Sequence, residues 1–93
     1  MNNFSGQLPP ELGNLNKLKI LSLFSSGVSG EIPSTFENLR SLEQLWASDN
    51  ELTGKIPYFI GSWSNLTNMV LQGNYFQGPI PSTFVNLTSL VQL

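Results

Sequence analysis

Three carboxylates fall close together in the sequence: Asp49 and Glu51 flank Asn50, and Glu43 precedes them. A carboxylate pair can divide proton donation and acceptance between its members, but only with a nucleophile or a held water between them. Asp49 and Glu51 straddle a turn, and no nucleophile–base set accompanies them. The 93 residues include no Cys and no His. Thiol chemistry, disulfides, most zinc sites and the commonest general base are thereby removed. The glycines are spread along the chain, and no Gly-rich loop leads into a helix to cradle a phosphate. The charges read as solvated surface. The segment is read as non-catalytic, with no catalytic, metal or cofactor-binding residues.

A second chemistry, covalent modification, is written in three Asn-x-Ser/Thr patterns: Asn3-Phe4-Ser5, Asn65-Leu66-Thr67 and Asn86-Leu87-Thr88. A chain rich in Asn, Ser and Thr meets this pattern by chance, so position has to separate them. All three are candidate N-glycosylation sites. Asn65 shares a repeat column with Lys17, Ser41 and Ser89, all polar, where a glycan would fit. Asn3 aligns with Gly27, Glu51 and Tyr75, also tolerant. Asn86 aligns with Asn14 and Asn38, neither in such a pattern, and its competing reading is a structural cap.

The repeat that defines these columns has a period of 24 residues. Leu18, Leu42, Leu66 and Leu90 mark it, and Gly6-Gln7-Leu8-Pro9, Gly30-Glu31-Ile32-Pro33, Gly54-Lys55-Ile56-Pro57 and Gly78-Pro79-Ile80-Pro81 recur in step. A fixed period in this range is the mark of a solenoid, in which each coil leans on its neighbours. Full repeats cover 18–41, 42–65 and 66–89, with partial ones at 1–17 and 90–93. Leu21, Leu45 and Met69, then Leu23, Ala47 and Leu71, alternate with polar positions, giving one short strand per coil near 20–23, 44–47 and 68–71. Stacked strands make a parallel sheet on a concave face.

Asn2, Ser26, Asn50 and Asn74 follow, where the chain leaves the sheet. A buried amide there can bond main-chain groups of adjacent coils, and Ser26, being shorter, predicts a looser turn. Phe4, Val28, Leu52 and Phe76 return to the core. Each Pro of the Gly-x-(Leu/Ile)-Pro element opens a short 3₁₀ turn. Leu12, Phe36, Ile60 and Phe84, then Leu15, Leu39, Trp63 and Leu87, follow it into the core. The columns Leu18/Leu42/Leu66, Leu23/Ala47/Leu71 and Ile32/Ile56/Ile80 are all expected to be buried.

The pattern Leu-x-x-Leu-x-Leu-x-x-Asn-x-Leu-x-Gly-x-Ile-Pro resembles the leucine-rich repeat (LRR) of the plant extracellular class. That resemblance implies an α/β-type solenoid, a right-handed superhelix with 3₁₀ turns outside, little α-helix, and a second short strand near each Gly-x-Ile-Pro. The non-consensus residues Ser25 to Phe36, Trp46-Ala47-Ser48-Asp49 and Phe59-Ile60-Gly61-Ser62-Trp63 look like the repeats of plant LRR–malectin receptor-like kinases. There the repeats precede a malectin-like domain, a membrane span and a Ser/Thr kinase. The implied role is ligand recognition on the extracellular side of the plasma membrane. The alternative is a secreted or membrane-tethered LRR protein without a kinase, such as an inhibitor of a cell-wall-degrading enzyme.

Binding surface is expected on the outward strand positions. The columns are Ile20/Gln44/Asn68/Gln92, Ser22/Trp46/Val70, Phe24/Ser48/Gln72 and Ser25/Asp49/Gly73. Phe24, Gln44, Trp46, Asp49, Asn68 and Gln72 are the candidate contacts. Trp46 and Phe24 are the aromatic anchors, unless they pack on neighbouring coils instead. A protein, a peptide or a cell-wall carbohydrate would suit the amide-rich surroundings, and the implied receptor would admit a co-receptor. Net charge is −2, and the four Lys and Arg are scattered, so no basic stripe fits nucleic acid. No run approaches a membrane span, so the segment itself is expected to make no membrane contact.

The sequence starts within one repeat and stops within another, without cysteine-paired caps, and is expected to be part of a longer ectodomain. The isolated 93-residue stretch should therefore be aggregation-prone, because its terminal coils leave apolar core and strand edges open. Adding flanking repeats should raise solubility and cooperativity in a thermal melt. A sharp, reversible, monomeric transition of the stretch alone at high temperature would contradict this.

Overall fold

The computed structural model describes residues 6–83 and the backbone of Val91–Gln92. Two parallel sheets run along the solenoid. The concave sheet holds β2 (Ile20–Ser22), β4 (Gln44–Trp46), β6 (Asn68–Val70) and β7 (Val91–Gln92), in that spatial order. Its register keeps the 24-residue columns aligned: Leu21 pairs with Leu45 and Leu45 with Met69. The second sheet holds β1 (Gly6–Gln7), β3 (Val28–Gly30) and β5 (Glu51–Leu52). This is the second strand that the plant-class resemblance implied. Gly6, Gly30, Gly54 and Gly78 each have φ between about +79° and +102°, where an L side chain is strained.

Three 3₁₀ turns, Pro10–Asn14, Ser34–Asn38 and Tyr58–Ser62, lie on the outer side, each preceded by a proline in extended conformation. Among the described residues no α-helix forms. Inward side chains fill the space between sheet and turns. Phe36, Leu39, Leu42, Leu52, Ile60, Trp63 and Met69 are sealed from solvent. Trp63 does more than fill volume, because its Nε1 donates to the Phe36 carbonyl of the preceding coil at 3.1 Å.

Phe59 falls outside the apolar columns of the repeat, yet it is buried with its ring 5.9 Å from Trp63. Its column mates explain the exchange. Thr35 and Thr83 donate their hydroxyls to Pro10 and Tyr58 carbonyls one coil back, whereas Phe59 covers the Trp63 indole.

Five columns depart from uniform burial. Leu15 and Ile80 are about half exposed, and Leu12, Leu18, Ile56 and Phe76 are only partly buried. At Leu12, Leu15 and Leu18 the cause is the one-dimensional packing: a core position is closed by coils on both sides, and a position with a neighbour on one side stays more open. Phe36, Leu39 and Leu42, one coil further in, are buried. Leu8 is buried in the same first coil nonetheless, and Ile56 is only partly buried with a coil on each side. Asn2, Phe4, Phe84, Leu87 and Leu90, and the side chain of Gln92, lie outside the described residues.

The turns after β4 and β6 carry asparagine amides, buried at Asn50 and half-buried at Asn74. Asn50 Oδ1 accepts from the Ser26 and Gly27 backbone N–H groups at 2.9 and 3.0 Å. Its Nδ2 lies 2.7 Å from the Leu23 carbonyl, 3.1 Å from that of Ala47 and 3.2 Å from that of Ser48. Asn74 repeats the donor side, to the Ala47 and Leu71 carbonyls, while its Oδ1 accepts from a different position, the Leu52 N–H. Each asparagine thus ties its own coil to the one before. Ser26 makes no such reach among the described residues. Its hydroxyl donates to Phe24 two residues away at 3.3 Å, and the turn it occupies is held from the next coil by Asn50.

Asn50→Leu keeps most of the volume but leaves several buried N–H and C=O groups without partners. At about 1–3 kcal/mol for each unsatisfied group, the loss should be at least about 3 kcal/mol. Ser26→Ala, which removes one long local bond, should cost about 1 kcal/mol or less. Urea unfolding of the chain with its flanking repeats would measure both.

Candidate functional site

Outward positions of the concave sheet bring Phe24, Gln44, Trp46, Asn68 and Gln72 onto one face. Strand spacing of about 4.8 Å sets same-column side chains beside one another, so Ser22, Trp46 and Val70 form a row across three coils. An open trough of about 450 Å³ runs over this row, lined by Ser22, Phe24, Trp46, Ser48, Val70 and Gln72.

The trough is not uniformly open. Phe24 is 56% exposed, and Gln72 and Ser22 are also exposed. Gln44, Trp46 and Asn68 are half-buried. Val70 and Ser48, expected to face solvent, are only 5% exposed. Both are flanked by larger neighbours: Val70 pairs in register with Trp46 and sits beside β7, and Ser48 lies in the column between Phe24 and Gln72. Side chains this short sink between long ones and become the floor.

Trp46 is held in place rather than left to rotate. Its Nε1 donates to Gln44 Oε1 at 3.0 Å, along the same strand. One ring face of a half-buried indole with its polar atom already paired is a rigid, flat, apolar surface. The Gln44 amide nitrogen, Asn68 and Gln72 supply donors and acceptors at its margins. The outward positions of β2, β4, β6 and the residues just after them carry no charge at all, being Ile20, Ser22, Phe24, Gln44, Trp46, Ser48, Asn68, Val70 and Gln72.

Asp49 belongs elsewhere. Ser25, Asp49 and Gly73, read as a concave-face column, have φ of 50°, 60° and 81° and form the left-handed step that leaves the sheet. Asp49 is exposed and does not line the trough. Its carboxylate lies over Gly73, so that a Cβ at position 73 would overlap Asp49 Oδ1. Glu51 is on β5 in the second sheet and Glu43 precedes β4, so the three carboxylates belong to three different elements.

A larger open groove of about 730 Å³ lies away from the strands, along the loops after the 3₁₀ turns, lined by Gly13, Asn14, Asn16, Lys17, Asn38 and Arg40. Its lining is polar and cationic and has no aromatic anchor. Asn65 stands on the same edge, exposed, with Nδ2 donating to the Arg40 carbonyl at 3.2 Å. Asn3 and Asn86 lie outside the described residues.

Gly73→Ala should destabilise by about 1–3 kcal/mol, the cost of a side chain in the left-handed region, increased by the overlap with Asp49. Adding Asp49→Gly should recover part of the loss by removing the overlapping carboxylate. Thermal unfolding of the two single variants and the double variant reads the coupling directly.

The Leucine Rich Repeat family model matches residues 17–39, 41–63 and 65–87. Among curated proteins, Receptor-like protein 41 of Arabidopsis thaliana is 50% identical over 52 residues and Receptor-like protein 39 is 44% identical over the same length. The aligned part is 55% of this chain and 6% of each relative. The solved plant peptide hormone receptor RGFR1, in complex with RGF2, matches 99% of this chain and 15% of its own, at 34% identity and a TM-score of 0.90. The Arabidopsis receptor kinase HAESA, in complex with the peptide hormone IDA and the co-receptor SERK1, matches 100% of this chain and 16% of its own, also at 34% identity and 0.90. The matched repeats coincide with the coils, the buried asparagines and the concave strands described above: the chain belongs to the leucine-rich repeat family, in the form found in plant receptor ectodomains.

Proposed function

We propose that the chain is a ligand-recognition segment of a plant receptor ectodomain, acting on the extracellular side of the plasma membrane, and that its ligand is a peptide. The observation that carries the reading is the trough over Trp46: a fixed indole, an apolar floor at Val70, and uncharged amides at the rim. An extended peptide offers both apolar side chains for the indole and main-chain groups for Gln44, Asn68 and Gln72. A cell-wall carbohydrate is the less favoured ligand, because the solved relatives RGFR1 and HAESA are described with peptide hormones. HAESA's complex with SERK1 supports a co-receptor as a further partner.

The segment recognises and does not catalyse. The parent chain we read as a receptor-like Ser/Thr kinase, most similar in its non-consensus residues to the LRR–malectin kinases. A second reading, a receptor without a kinase, is favoured by one observation: the curated relatives are named receptor-like proteins. Both kinds would use this segment in the same way.

Trp46→Ala in the whole ectodomain should leave unfolding nearly unchanged and weaken ligand binding by about 1–3 kcal/mol. Leu71→Ala should do the reverse, costing about 2–5 kcal/mol of stability through an unfilled core site. Because the trough is uncharged, the Trp46 contribution should be nearly the same in low and high salt. Calorimetric titration and urea unfolding read the two effects. Equal destabilisation by both variants, with unchanged affinity of the folded fraction, would make Trp46 structural.

A further inference from the structure

We infer that Asn65 carries an N-linked glycan, on the loop edge of the solenoid and clear of the concave trough. The inference rests on the extracellular reading above, since the modification requires passage through the secretory pathway. Among the described asparagines, only Asn65 combines exposure with a hydroxyl residue two positions on. Asn14 and Asn38 are exposed but are followed at that spacing by Asn16 and Arg40. Asn50 and Asn74 are committed to the ladder, with both ends of each amide engaged.

Asn65 makes a different kind of contact. It sits in the turn at 64–65 between the 3₁₀ turn Tyr58–Ser62 and β6, and its one bond among the described residues runs from Nδ2 to the exposed Arg40 carbonyl. Thr67 is likewise exposed, its hydroxyl donating to the Glu43 carbonyl at 3.1 Å. Neither group supports the core, so the coil does not need the amide free. Transfer forms a bond from Nδ2 to the anomeric carbon of a polyprenyl-diphosphate-linked oligosaccharide. The anomeric carbon–oxygen bond breaks, the lipid diphosphate departs, and one amide proton is lost to base. Nδ2 retains its second proton, so a donor toward the Arg40 carbonyl survives the reaction. Column mates Lys17 and Ser41 are polar, and the adjoining groove by Asn16, Lys17 and Arg40 leaves room for sugar.

The test is expression of the whole natural chain in plant cells, beside the same chain carrying an added secretory leader. Peptide-N-glycosidase release in ¹⁸O-water, followed by mass spectrometry, reads occupancy as an ¹⁸O-labelled aspartate at position 65. Labelling in the natural chain is expected, retained in Thr67→Ser and lost in Thr67→Ala and Asn65→Gln, which should lack one glycan's mass yet remain folded. No labelling in either chain overturns the site itself. Labelling only in the chain with the added leader overturns natural occupancy and, with it, the extracellular reading.

Discussion

A coil that returns on itself every 24 residues must turn its backbone out of the sheet, and the turning stretch has no helix or strand to bond its N–H and C=O groups. The buried asparagine amide meets that constraint. At Asn50 it engages two N–H groups of the preceding coil and carbonyls on both coils. Everything else follows from the turn being held: the strands keep register, the left-handed step at Ser25, Asp49 and Gly73 recurs, and the second sheet has room to form. Hydrophobic burial supplies the bulk of the driving force, but it is non-directional and would not by itself specify where the chain turns.

The same device separates stability from recognition. Core columns and amides lie between the sheets and the 3₁₀ turns, while Phe24, Trp46 and Gln72 stand on the other side of the concave strands. Side chains there can change without touching a core contact, which suits a repeat scaffold whose outward positions set ligand choice. The Trp46–Gln44 bond adds rigidity where the account needs it, since an anchor already fixed loses less entropy on binding.

Much of this was legible in the residues. The period located the strands to within a residue, the asparagine column announced its role, and the Gly-x-Ile-Pro element marked the second sheet through its resemblance to the plant class. What escaped depends on neighbours instead of on the residue itself. Val70 and Ser48 alternate outward as read, yet are buried because Trp46, Phe24 and Gln72 rise on either side. Leu15 carries the right side chain in a coil closed on one side only. The alternation places Asp49 on the face because nothing in a lone aspartate announces a positive φ; Gly73 in the same column is the available signal. Phe59 hides in a column otherwise held by Glu11, Thr35 and Thr83.

Amide hydrogen exchange on the chain with its flanking repeats tests the asparagine account most directly. The N–H groups of Ser26, Gly27 and Leu52 lie in turns or at a short strand, yet donate to the side-chain oxygen of Asn50 or Asn74 one coil on. They should exchange as slowly as the concave-strand amides of β4 and β6, through the same cooperative opening. If they exchange instead at the rate of an exposed outer-turn amide such as that of Ser64, the ladder does not hold the turns, and the account of the fold is wrong.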